Sequence, residues 1–271
     1  DMTSLIEGGY LEEINLENLT NFDNLGDIYK NREFDPENKY AIPYMMNYVY
    51  VVYNPETCPI EIDEYADLLD PALEGQIASV TGPRNLFPIA LVSLGYDPNS
   101  QNEAEIEEAY EWLQGYVKNV AGFDSDSAET MLINGAASVG LLFDGQASKA
   151  FSEMGDDALV VAELKDAVQL GVDELVIPKG AKNKENAEIF LNFLLDADNM
   201  AFNLQSMMET DGQAYACPND AAVALMGEDY QNAPALNIPE SVKSNYFLQL
   251  DVGDAMKVYD KYWTMLMSEE Q

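Results

Sequence analysis

Apolar and polar positions change period repeatedly along this chain. Short runs of β-branched and aromatic residues alternate with longer stretches of helical period, which predicts an α/β fold. Residues 48–53 (YVYVVY) read as a strand closed by the turn Asn54-Pro55. Further strands are predicted at 76–80, 138–143 (SVGLLF), 159–161 and 175–177. The clearest helix is Glu103–Val117. There Ile106, Tyr110, Leu113 and Val117 share one face, and Glu105, Glu107, Glu108 and Glu111 turn away from it. Helices are also predicted at 5–11, broken by Gly8-Gly9, at 84–94, stopped by Gly95, and at 146–154 and 199–209, with a short one around 127–131. Lys184–Leu195 is apolar at Ala187, Ile189, Phe190, Leu191, Phe193 and Leu194, so it is predicted to be well buried. The last helix repeats Val252, Met256, Tyr259, Trp263 and Leu266, behind Asp251 as its N-cap.

Charge narrows what such a fold can do. The 271 residues hold 49 acidic and 13 basic side chains, a formal net charge of −36, and no histidine. A surface this acidic repels phosphate and anionic bilayers, which argues against a nucleic-acid partner. Without histidine there is no Ser-His-Asp or Cys-His catalysis and no His-ligated zinc. A cation, metallic or organic, remains the attractive ligand. With 47% apolar and 23% charged residues the chain is globular, large enough for one big domain or two smaller ones. Cys58 and Cys217 form no CxxC, and their spacing alone proposes no disulfide. The most apolar run, 40–53, is interrupted by Pro43 and Asn47 and is too short for a membrane span. The chain opens at Asp1-Met2-Thr3 without a signal peptide, as a mature start or a shortened chain would.

Motifs for enzymatic chemistry are missing: there is no GxSxG, Walker loop or GxGxxG. Asp124-Ser125-Asp126 has half the pattern of a calcium loop but lacks its glycine and closing glutamate, and reads as a solvated turn. Tyrosines near predicted strand ends, Tyr44, Tyr48, Tyr215 and Tyr246, are more suggestive. Aromatic faces combined with carboxylates suit an organic ammonium, although each ring alone also reads as half-buried core.

Several segments, in order, carry a family likeness. They are LTNFDNL at 19–25, Phe34-Asp35-Pro36, YAIPY at 40–44, Leu94-Gly95-Tyr96 with its acidic helix, and SVGLLFDG at 138–145. DELVIP at 173–178 with AKNKE at 181–185, then Tyr215 with Pro218-Asn219, and QLDVG at 249–253 complete the set. The chain resembles the spermidine/putrescine-binding proteins of polyamine ABC transporters, within the periplasmic-binding-protein superfamily. The resemblance implies two α/β lobes with the ligand clamped between them. One lobe would hold 1–47 and 172–223, the other 48–171 and 224–271, with crossovers at 48–53 and near Gly171. It implies an extracellular or periplasmic, monomeric receptor, lipid-anchored through a leader absent from this chain, that delivers a polyamine to a membrane permease without cofactor, metal or catalysis.

The same likeness assigns site residues. Asp173 matches an aspartate that pairs with a ligand amine, Tyr215 a cleft tyrosine, and Gln249 a glutamine that hydrogen-bonds the ligand. On the residues alone, these read rather as a strand-end cap, a packing ring and a surface amide before a helix. Phe143 takes the place of one stacking tryptophan, Gly171 stands where another ring would be, and Asn85 replaces a carboxylate. Asp144, or Asp124 and Asp126, are candidates to compensate for that lost acid. The family opens with a strand–helix–strand–helix section, and the likeness places the start of this chain after it, so the first lobe is expected to be incomplete at its N-terminus and to expose apolar surface. The departure at Asn85 keeps other ligands open: a different organic cation, an amino-acid-like molecule or a metal. A non-transport surface protein is a further alternative, and an enzyme the weakest.

Overall fold

The run 48–53 forms the inner half of a longer strand in the computed structural model, which describes residues 2–155, 157–236 and 239–269. Its strands are β1 Ala41–Tyr53, β2 Ile77–Ser79, β3 Val120–Phe123, β4 Val139–Phe143, β5 Val160–Val161, β6 Val168–Val176 and β7 Tyr246–Leu248. Its helices are α1 Met2–Glu7, α2 Pro83–Ser93, α3 Glu103–Val117, α4 Glu129–Ile133, α5 Asp144–Met154, α6 Lys184–Leu195, α7 Ala197–Asp211, α8 Asp220–Val223, α9 Glu228–Gln231, α10 Glu240–Ser244 and α11 Met256–Glu269. The strands follow the order β3-β2-β4-β1-β6-β7, with β5 also on β1. The chain forms two compact units, the first from 1–47 and 171–236, the second from 48–170 and 237–271. Both β1 and β6 pass from one unit into the other.

In the second unit β4 lies between β1 and β2. β1 runs antiparallel to it, with Val51 opposite Leu141, and β2 runs parallel, with Ala78 opposite Gly140. Val49, Tyr50, Val51 and Val52 are all buried, so this part of β1 is covered on both faces and its sequence shows no alternation. Helices α2, α3 and α11 pack on one another, and α4 packs with α5 and β4. Asn102 caps α3 by accepting from the Ala104 N–H at 3.1 Å, and Glu103 and Glu105 sit at the positive end of the helix dipole. The buried stripe of α3 is Ile106, Ala109, Tyr110, Trp112, Leu113 and Tyr116. Phe87 meets Tyr259 edge-on at 5.3 Å, and Tyr110 stacks on Tyr262 at 5.0 Å. Removing a ring such as Phe87 from water contributes about 1.5–3 kcal/mol.

The first unit is tied by Leu11, which bridges to Pro178, with the Glu12 N–H donating to the Ile177 carbonyl at 2.8 Å. One of its apolar clusters gathers Ile14, Leu19, Leu25, Ile42, Ile177, Leu191 and Leu195. Another gathers Met45, Met200, Leu204, Ala214, Cys217, Ala222, Met226 and Tyr230. Cys58 and Cys217 are free thiols.

Several sequence expectations are corrected. Helix α6 is not buried all round: Glu188, Leu191 and Leu195 are its buried residues, with Ala187 partly buried against the same cluster. Ile189, Phe190 and Phe193 are 65%, 58% and 53% exposed. At about 100° per residue these three positions lie opposite the inward stripe. Strand β1 begins at Ala41, ahead of Pro43 and Asn47, and β6 reaches back to Val168. The final helix starts at Met256 after a 3-10 turn at Gly253–Ala255, where the Gly253 N–H donates to the Asp251 carboxylate at 2.7 Å. Strands β3 and β7 are short and had no clear apolar signal.

Candidate functional site

In the second unit two of the candidate residues, Asn85 and Gln249, meet at the start of α2. Gly82 takes φ +108°, a conformation that favours glycine, and Pro83 then opens the helix with its fixed φ. This places Asn85 in the first turn, where its Nδ2 donates to the Thr81 carbonyl at 2.8 Å. The Asn85 Oδ1 accepts from Gln169 Nε2 at 3.3 Å and from Gln249 Nε2 at 3.4 Å. Gln249 Nε2 also donates to the Arg84 carbonyl. Asn85 and Gln249, 164 residues apart, therefore share one amide cluster. The Asn85 oxygen is already engaged by two amides. Gln169, which had no sequence signal, lies buried on β6 with its Oε1 unpartnered.

Beside the cluster, the Arg84 guanidinium lies over the Tyr259 ring, 5.2 Å from its centroid. Its Nη2 donates to Asn99 Oδ1 at 2.7 Å and to the Leu250 carbonyl at 3.1 Å. Burial lowers its pKa, with the Tyr259 ring and Asp251 acting against that. Phe143 ends β4, half-buried, its N–H donating to Gln146 Oε1 at 3.1 Å. Asp144 follows as the first residue of α5 and is fully buried, accepting from the Gly145 N–H at 2.9 Å. Asp124 holds its own turn. Its carboxylate accepts from the Asp126 and Ser127 N–H groups and the Ser127 hydroxyl, and the hydroxyl bond leads the causes that lower its pKa.

In the first unit, β6 carries two neighbouring acids, whose side chains alternate across the strand. Asp173 is exposed, and partial burial of its carboxyl raises its pKa. Among the described residues no lysine or arginine lies within ion-pair distance of it. Glu174 is pushed up to about 8, chiefly by burial, with Arg32 partly opposing and Asp35 and Asp173 adding. One of its oxygens is buried without a partner. Asp35 is itself fixed by three backbone N–H groups, from Lys39, Tyr40 and Ala41, at 2.7–3.0 Å. At Gly171 a Cβ would stand 2.2 Å from the Asn47 side-chain oxygen, so a larger residue there requires Asn47 to move. Tyr215 packs on the cluster around Met45, donates to Gln213 Oε1, and accepts at its carbonyl from the Tyr230 hydroxyl at 2.6 Å.

Chemically, the first unit offers an exposed carboxylate at Asp173 beside a largely protonated carboxyl at Glu174, and the second a neutral amide cluster with the acids Asp144 and Asp124 elsewhere in the same unit. No helix among the described residues is long and apolar enough to cross a membrane. Comparison with known proteins adds the context. Residues 1–238 match the bacterial extracellular solute-binding protein family. The chain is 34% identical over 259 residues to the spermidine/putrescine-binding periplasmic protein of Salmonella typhimurium, covering 95% of this chain and 72% of that one. It is 30% identical over 244 residues to a putrescine/cadaverine-binding protein of Pseudomonas aeruginosa, covering 86% and 67%. Its fold matches a solved Listeria monocytogenes protein assigned to the spermidine/putrescine ABC transporters, with TM-score 0.88 and 28% identity over 99% of this chain and 81% of that one.

Proposed function

The chain belongs to the bacterial extracellular solute-binding proteins, and from that premise we propose that it is the receptor of an ABC importer for a polyamine, spermidine or putrescine. It works by binding and delivery, without catalysis, outside the cell membrane and held there by a lipid anchor. Its partner is the importer's membrane permease.

The observation that supports this reading is Asp173. An exposed acid with no lysine or arginine in ion-pair reach among the described residues, already partly desolvated, gains most from an incoming ammonium. An alkyl ammonium leaving water in turn requires a carboxylate. Thermal unfolding of the protein with spermidine, putrescine, spermine and thiamine tests the reading. A polyamine at 100 times its Kd should stabilise the fold by about 2.7 kcal/mol. No shift with any polyamine contradicts the proposal.

A second reading has one observation in its favour. The amide cluster of Asn85, Gln169 and Gln249 is neutral, so it offers an ammonium no carboxylate. That favours a ligand with a single cationic group, such as an amino-acid-like molecule. A shift with thiamine, or with an amino-acid-like cation added to the series, and none with the polyamines would support it.

A further inference from the structure

We propose that Asn99 is a positioning residue for the binding site: it latches the backbone on both sides of Gln249 and so fixes where that glutamine amide points. The inference rests on the reading that Gln249 belongs to the ligand site.

One side-chain amide makes both bonds of the latch. Asn99 Nδ2 donates to the Leu248 carbonyl at 2.8 Å, and the Leu250 N–H donates to Asn99 Oδ1, also at 2.8 Å. These are the bonds that a neighbouring strand would make to residues 248 and 250. β7 has β6 on its other side, where Leu248 pairs with Leu170, so Asn99 stands in for a second strand. Arg84 closes the arrangement, its Nη2 reaching both Asn99 Oδ1 and the Leu250 carbonyl.

The latch is anchored from behind. The Asn99 N–H donates to Asp97 Oδ1 at 2.8 Å, and the Ser100 N–H to the Asp97 carbonyl at 3.0 Å. The buried Tyr259 hydroxyl holds the Ser100 carbonyl at 2.5 Å. The loop bearing Asn99 is thus fixed to the core, and through Asn99 it fixes an otherwise exposed segment. Gln249 then leaves a defined backbone and reaches the Arg84 carbonyl and Asn85 Oδ1. A binding amide held before the ligand arrives loses less entropy on binding, so removing the latch weakens affinity without removing any ligand contact.

The test is a double-mutant cycle on spermidine affinity in the full-length protein, with amide hydrogen exchange at Leu250. Asn99→Ala should weaken binding about tenfold when Gln249 is present and less than about twofold when Gln249→Ala is already in place. It should also speed exchange at Leu250. Asn99→Asp, which keeps the acceptor for Leu250 and Arg84 but loses the bond to Leu248, should fall between the wild type and Asn99→Ala and covers the case in which the alanine variant fails to fold. Equal losses in both backgrounds would make Asn99 merely structural, and unchanged affinity with unchanged exchange would remove it altogether. A wild-type protein that binds no polyamine overturns the functional reading instead. Leu250 exchange then decides the latch alone, and no change in Asn99→Ala refutes it.

Discussion

The two units solve the same packing problem differently. The second buries five rings completely: Tyr50, Tyr65, Tyr116, Tyr259 and Phe87 are each essentially inaccessible. The first distributes its apolar contacts over separate, Met- and Leu-based clusters, and leaves Phe190, Phe193 and Phe202 more than half exposed. Their polar groups follow the same division. In the second unit Asn85 and Gln249 join Gln169 in a cluster of neutral amides, apart from the buried acid Asp144, whereas the first unit's acids, Asp173 and Glu174, carry raised pKa values. One unit presents a site whose shape is settled by its own hydrogen bonds. The other carries acids that burial holds toward the neutral form, Glu174 with a pKa of about 8 and Asp173 with no lysine or arginine in ion-pair reach among the described residues.

Rings test that contrast most strongly. Phe87→Ala should cost about 3–5 kcal/mol in denaturant unfolding, because a fully buried ring leaves a cavity against Tyr259. A loss below 1 kcal/mol would mean that the second unit's core is far looser than its burial implies.

The acids give an intermediate effect with a definite sign. Glu174 titrates at 4.5 in its ordinary state and at about 8 when folded. Below the lower value it is protonated in both states and costs nothing. Between the two the native state binds more protons than the unfolded one, so stability falls as pH rises, and the loss is complete above about 8. Glu174→Gln should therefore raise stability at pH 9 by about 1–3 kcal/mol and leave it nearly unchanged at pH 4. Equal gains at both pH values would show that charge is not the cause. The smallest effect belongs to Phe202→Ser, expected within about 0.5 kcal/mol of wild type because the ring is 76% exposed. A larger loss would show that this face of the first unit is covered in solution.

What could be read from the sequence follows from how local each signal is. Helix α3 and helix α6 begin and end where their apolar spacing and flanking residues place them. Helix α6 also shows the limit. Its apolar count suggested burial, but the phase of Ile189, Phe190 and Phe193 points them outward. Strand β6 was legible only at its end, because Gln169, Gly171, Asp173 and Glu174 break its apolar run. Those interruptions are where the strand carries its candidate binding chemistry. The amide cluster joins residues from α2, from β6 and from the segment after β7, so no periodicity could show it. Asn85 and Gln249 were picked out through family likeness. Gln169 and Asn99 had no such signal, since an amide becomes a latch or an acceptor only through the backbone it meets.

The central claim is that uncompensated charge in the first unit selects an organic cation. Titration calorimetry of spermidine into the full-length protein and its Asp173→Asn variant tests it most directly. Asp173→Asn is nearly isosteric and removes only the charge. Spermidine should bind the wild type and lose about 10–150-fold in affinity for the variant, the worth of one charge-assisted hydrogen bond of about 1.5–3 kcal/mol. Wild-type affinity retained in Asp173→Asn would contradict it.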